Sequence, residues 1–143
     1  NISNMGQNAF FYECAEGLIT AVILLVAEFC PPEKRHIIKA AKDFVATNYP
    51  VSVSVEDIAA AANVSRTTLF RIFKSELNTT PVEFLTAYRI AQAKTLLTET
   101  ELSITAVARS SGYEDNLYFS RVFRKITGFT PTEYRNCNKN PYE

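Results

Sequence analysis

From Pro31 onward, apolar side chains return every three or four positions, the interval of a helix with one buried face. No stretch alternates apolar and polar residues long enough to predict a sheet strand. Ile37, Ile38, Ala41, Phe44 and Val45 predict an amphipathic helix ending near Asn48-Tyr49-Pro50. Ser54 with Asp57 reads as a capping box that opens VEDIAAAA, and Asn63-Val64 makes a tight turn. Ser65 caps the next helix, Arg66 to Leu77. Thr80-Pro81 starts a longer one, PVEFLTAYRIAQAKTLL, which presents Phe84, Leu85, Tyr88, Ala91, Leu96 and Leu97. Ser103 caps ITAVARSS, Gly112-Tyr113 turns the chain, and a helix follows from about Asp115 to Thr127. Gly128 stops it, and Thr130-Pro131 begins a last short helix.

Laid over one another, these elements repeat. Ser54–Thr67 matches Ser103–Asn116 at an offset of 49, with Val55/Ile104, Ile58/Val107 and Ala59/Ala108 in register. One residue then slips, and Leu69/Phe119, Arg71/Arg121, Ile72/Val122, Phe73/Phe123, Lys74/Arg124, Thr80/Thr130, Pro81/Pro131 and Glu83/Glu133 follow at 50. A helix, a tight turn and a second helix, occurring twice, predict an all-α fold of two helix-turn-helix units joined by a linker helix. The units fall at about 54–78 and 103–128, with the linker at about 81–98.

The second helix of each unit divides into two faces. Leu69, Ile72 and Phe73 share an inward arc, leaving Thr67, Phe70, Arg71 and Lys74 outward. In the other copy Phe119, Val122, Phe123 and Ile126 are expected inward, and Leu117, Ser120, Arg121 and Arg124 outward. A helix after a three- or four-residue turn is the element that enters a DNA major groove. An arginine near its start can donate two hydrogen bonds to guanine, and Thr67, Phe70 or Leu117 can meet a thymine methyl. Lys74, Arg124 and Lys125 are expected at phosphates, joined by Ser65, Arg66 and Ser120. The seventeen residues Pro81–Leu97 would span about 26 Å, close enough to the roughly 34 Å groove repeat to hold two readers on one side of a duplex.

Charge refines this picture. The whole chain of 143 residues has a formal net charge of zero, but its ends differ from its middle. Residues 1–33 hold four acids and no base, whereas residues 34–135 hold fourteen Lys/Arg against ten Asp/Glu, a surplus of four. The uncharged run GLITAVILLVA at 17–27 is eleven residues long, against the roughly 20 that a membrane span needs, and reads as a buried helix. Three scattered cysteines, Cys14, Cys30 and Cys137, fit a reducing compartment and make no metal-ligand spacing. The only histidine, His36, lies beside Arg35 with no catalytic partner at suggestive spacing, so neither a catalytic residue nor a cofactor is expected.

Residues 89–135 carry a further pattern. Its parts are Arg89, Ala93 to Leu97, Ile104-x-x-Val107-Ala108, Gly112-Tyr113, Tyr118-Phe119-x-Arg121-x-Phe123-Arg124 and Gly128-x-Thr130-Pro131-x-x-Tyr134-Arg135. This resembles the signature of the AraC/XylS family of bacterial transcription regulators, and the first unit fits through Ile58-Ala59, Ser65, Leu69-x-Arg71-x-Phe73-Lys74 and Pro81. The resemblance implies a DNA-binding domain over 34–135, with base readers at Thr67, Phe70 and Arg71 and at Asn116, Leu117 and Arg121. Arg71 stands first among them, because the family's second unit often reads more weakly. Phe70 and Leu117 stand where some relatives carry polar readers.

The resemblance further implies double-stranded promoter DNA and RNA polymerase as partners, in a bacterial cytoplasm. Residues 1–33 then read either as the end of an effector or dimerisation domain, with a homodimer formed through 1–30, or as a helix docked on the DNA-binding domain. Residues 136–143 form a tail, and the opening Asn1 fits a piece of a longer protein. Two other classes compete. DNA-repair methyl acceptors share such a unit but need a cysteine cluster for zinc, which this chain lacks. An interaction module could keep the fold without binding DNA, and salt dependence of binding separates the two.

Overall fold

The computed structural model describes residues 31–139, which form seven helices and no strand. In chain order they are α1 (Pro32–Asn48), α2 (Val55–Ala61), α3 (Arg66–Leu77), α4 (Pro81–Glu99), α5 (Ile104–Ser110), α6 (Asn116–Thr127) and α7 (Pro131–Asn138). The expected helix at 17–27, the role of residues 1–30, Cys14, Cys30 and the last residues of the tail lie outside the described residues. A compact unit begins at Ile37. Helices α1 and α7 run across the expected domain limits at 33/34 and 135/136, so neither limit coincides with a helix end.

Local chemistry sets the helix ends. Ser54, Ser65, Thr80, Ser103, Asp115 and Thr130 each accept a hydrogen bond from the backbone N–H three residues on, satisfying donors that a helix start leaves unpaired. Three of these starts are full capping boxes, closed by Asp57, Glu83 and Glu133. The Ser54 backbone N–H, then its hydroxyl, holds the Asp57 carboxyl below its ordinary pKa. The Thr79 hydroxyl, then the Thr80 N–H, does the same for Glu83. Left-handed residues end the elements, again in pairs: Asn63 and Gly112 in the turns, Asn78 and Gly128 after α3 and α6.

Packing produces two cores that share no residue. Ala41, Val45, Ile58, Ala59, Leu69, Phe73 and Leu85 form the first, with Phe84 and Tyr88 against it. Ile90, Ala93, Leu97, Val107, Ala108, Tyr113, Phe119 and Phe123 form the second. Each fully buried phenylalanine contributes about 1.5–3 kcal/mol by leaving water. The linker α4 serves both cores with different faces. At about 100° per residue, Phe84, Leu85 and Tyr88 lie on nearly the opposite side of the helix from Ile90, Ala93 and Leu97.

That rotation corrects one expectation. Ala91 is exposed, because it sits in the outer seam between the two apolar arcs, while Ile90 and Ala93 are buried instead. A second correction falls on α6. Ile126, expected inward, is 47% exposed, because the last turn of α6 extends past the aromatic core. The other expected core positions hold, with Leu69, Phe73, Phe119 and Phe123 fully buried and Val122 packed against the second core.

Candidate nucleic-acid interface

The turn between α2 and α3 is held by backbone geometry. Asn63 takes φ +55°, and the Val64 N–H donates to Ala59 O at 3.0 Å. In the second unit Gly112 takes φ +96°, and the Tyr113 N–H donates to Ala108 O at 2.8 Å. Equivalent turns therefore launch α3 and α6, and each helix buries its inner face in its own core.

The outer faces carry the residues expected to touch DNA. Thr67, Arg71 and Lys74 are exposed on α3, and Asn116, Leu117, Arg121, Arg124 and Lys125 are exposed on α6. Ser120 is half-buried. Arg71 and Arg121 have no hydrogen bond or ion pair within the described residues, so both guanidiniums keep their full set of donors available. Leu117 and its neighbour Tyr118 are 62% and 58% exposed, a large apolar area at the start of α6.

Three expected residues are already engaged. The Ser65 hydroxyl accepts from the Thr68 N–H at 3.1 Å and donates to the Thr68 hydroxyl at 2.9 Å, as the cap of α3. Arg66 pairs with Glu56 of α2 at 2.9 Å, and its guanidinium lies 5.4 Å from the centre of the Phe70 ring. Phe70 is half-buried rather than open, with Arg66 over its ring. The Arg66–Glu56 pair is solvent-exposed on both sides, so exchanging Glu56 for a phosphate costs little.

Two arginines outside the expected set prove to be structural anchors. Arg89, from the middle of α4, donates to Tyr49 O at 3.0 Å and Val51 O at 2.9 Å. Arg135, from α7, donates to Leu97 O at 3.1 Å and Thr100 O at 3.4 Å. Each places a cation on carbonyls at the end of a preceding helix, where the helix dipole favours positive charge. Sequence periodicity could not identify them, since an arginine on a helix surface looks the same whether solvated or anchored. The signal available was their place in the family pattern, which includes both Arg89 and Arg135.

An open cleft of about 1110 Å³ lies along α4, between the Pro50–Val55 loop and the turn of the second unit. No group of three or more potential metal ligands occurs among the described residues. Among those residues no helix is long and apolar enough to cross a membrane.

Comparison with known proteins adds to this geometry. A family model described as a helix-turn-helix domain matches residues 58–136. The lactose operon transcription activator of Staphylococcus xylosus is 39% identical over 99 residues, covering 69% of this chain and 36% of that protein. The chain spans about a third of the length of the first curated relatives it matches. Among solved structures, a transcriptional regulator of Chromobacterium violaceum with an AraC-type DNA-binding domain superposes with a TM-score of 0.69 at 30% identity, covering 73% of this chain and 94% of that one. The DNA-binding domain of AdpA, a global transcriptional factor solved with a target DNA, has a TM-score of 0.68 at 26% identity, covering 76% of this chain and 98% of that one.

Proposed function

The chain belongs to the AraC/XylS family of transcription regulators, and from that premise we propose that it binds double-stranded promoter DNA sequence-specifically, laying α3 and α6 into adjacent major-groove segments. The observation that carries this reading is the matched pair Arg71 and Arg121. They stand 50 positions apart at equivalent points of two similar helices, both exposed and both without a protein partner among the described residues. Among the described residues, no protein group competes with a duplex for either guanidinium.

In this reading Thr67, Phe70, Arg71, Asn116, Leu117 and Arg121 face base edges. Ser65, Arg66, Lys74, Ser120, Arg124 and Lys125 hold phosphates, which supply affinity and register without sequence information. The relatives are named as operon regulators and activators, which supports a role in regulating transcription; RNA polymerase as a partner and a bacterial cytoplasm are proposed with it. Residues 1–30 are proposed as a dimer contact.

The test is selection of bound duplexes from a random pool by the 143-residue chain, followed by titration of the winner in rising salt. Enrichment of a two-part motif is expected, with log Kd rising against log salt by about 0.9 per phosphate neutralised. Binding with no motif and no salt slope would instead support a protein-interaction module.

A further inference from the structure

The two buried cores have no residue in common, and α4 contributes to both. Helix α4 joins them, but a helix alone fixes distance along its axis better than it fixes how the units turn about that axis. On the side of α4 facing the cleft, Val82 and Arg89 lie in an inner seam between its two apolar arcs, flanked by Leu85 and Thr86. Arg89 is the residue in that seam that touches both units.

Its contacts are of two kinds. Toward the first unit, Nε and one terminal nitrogen donate to the Tyr49 and Val51 carbonyls that close α1 and lead into α2. Toward the second unit, the guanidinium lies 5.6 Å from the centre of the Tyr113 ring, in the turn that launches α6. Tyr113 belongs to the second core, where its ring meets Phe119 at 5.4 Å. The approach is close enough to constrain the turn itself. A Cβ on Gly112 would collide with the Tyr49 carbonyl oxygen and come within 2.8 Å of Arg89 Nε. Burial lowers the Arg89 pKa from its ordinary value, the direction expected for a guanidinium withdrawn from water.

We infer that Arg89 is a positioning residue for DNA recognition: by tying the Tyr49–Val51 carbonyls to the Gly112-Tyr113 turn it fixes the rotation between α3 and α6, and with it the spacing of the two groove segments the chain accepts. The inference rests on the DNA-reading function proposed above. Lysine does not substitute, because one ammonium cannot hold two carbonyls in a fixed fork while presenting a flat face to a ring.

The experiment uses the best duplex selected from a random pool and versions with one base pair inserted or removed between its two parts. Each such change moves the second segment by about 3.4 Å and about 35°. The wild-type chain is expected to lose about tenfold or more in affinity for each altered spacer. Arg89→Lys and Arg89→Ala are expected to bind the parent duplex more weakly, to bind random duplex as the wild type does, and to lose less than about threefold on altered spacers. A merely structural residue would lower all affinities together and leave the spacer ratio intact.

Equal spacer penalties in wild type and Arg89→Lys would overturn the inference, as would a wild type indifferent to spacing. Loss of the helical circular dichroism signal in both variants would make Arg89 a folding residue and overturn it too. Failure of the wild type to select any motif would instead sink the DNA-reading function, which keeps the two failures apart.

Discussion

Helix α3 begins Ser65-Arg66-Thr67, and α6 begins Asp115-Asn116-Leu117 with Glu114 just before it. Beneath these starts the units are built alike, with paired caps, paired left-handed turns and a buried phenylalanine pair or its equivalent. At the starts themselves they diverge. One helix starts with a neutral cap and a base; the other starts with a carboxylate cap, a second carboxylate and a 62% exposed leucine. Selection on a scaffold constrains what holds it together, whereas the surface that meets a partner is free to change between copies. The start of α6 is therefore the more acidic of the two, although the second unit carries the fuller family signature and, over 103–128, four bases against two acids.

The largest expected effect tests whether the cores are as separate as their membership indicates. Phe123 is fully buried and touches both Phe119 and Tyr134 by ring edge or face. Phe123→Ala should cost about 3–5 kcal/mol. Hydrogen exchange should show amides of α5, α6 and α7 losing protection well before those of α2 and α3. Uniform loss across all helices would mean that the two units fold as one.

Next in size is the contrast between the two arginines. Arg71→Ala should cost about 1–3 kcal/mol on the selected duplex and relax the preference at one base. Arg121→Ala should cost less, because the Glu114 and Asp115 charges already weaken the local hold on phosphate. Competition binding against single-base variants of the duplex reads both quantities. If Arg71→Ala weakens specific and random duplexes equally, Arg71 holds a phosphate and is no reader.

These contrasts show what the sequence could and could not reveal. Capping was legible because it is local: Ser54 and Asp57, or Thr80 and Glu83, need only each other and three residues of helix. The paired units were legible because repetition averages over local ambiguity. Ile126 was misplaced because an arc drawn on one helix cannot know where the core ends. Its counterpart in the first unit is Glu76, a polar residue, and the register of the repeat held that information where the helical arc did not. Ala91 failed differently, since a single apolar face was assumed for a helix that serves two cores. The anchoring role of Arg89 depends on carbonyls some forty residues away, a long-range fact that no local pattern encodes.

A third contrast lies inside the cores. Ala62 ends α2, and the equivalent position after α5 is Ser111, fully buried with its hydroxyl unpartnered. Because a buried hydroxyl without a hydrogen bond carries a desolvation penalty, Ser111→Ala should stabilise the second unit by about 1 kcal/mol. Urea denaturation gives the sign directly. A destabilised variant would mean that the hydroxyl has a partner, such as a bound water, and that the two units differ here for a reason.

The smallest expected effect isolates charge from scaffold. Asp115 caps α6 by accepting from the Tyr118 N–H at 3.0 Å, as Ser65 caps α3 from the Thr68 N–H. Serine and aspartate cap about equally well, so Asp115→Ser should leave the melting temperature nearly unchanged while removing one negative charge from the reading end. Affinity for any duplex should then rise by up to about 1 kcal/mol at low salt, and the gain should fade as salt screens it. The same exchange in reverse, Ser65→Asp, should weaken binding through the first unit by a similar amount, again without unfolding it. If Asp115→Ser leaves affinity at low salt where it was, the start of α6 does not lie near phosphate. The second unit's weakness would then have to come from Leu117, whose exposed side chain can meet a thymine methyl but offers no hydrogen bond to any base.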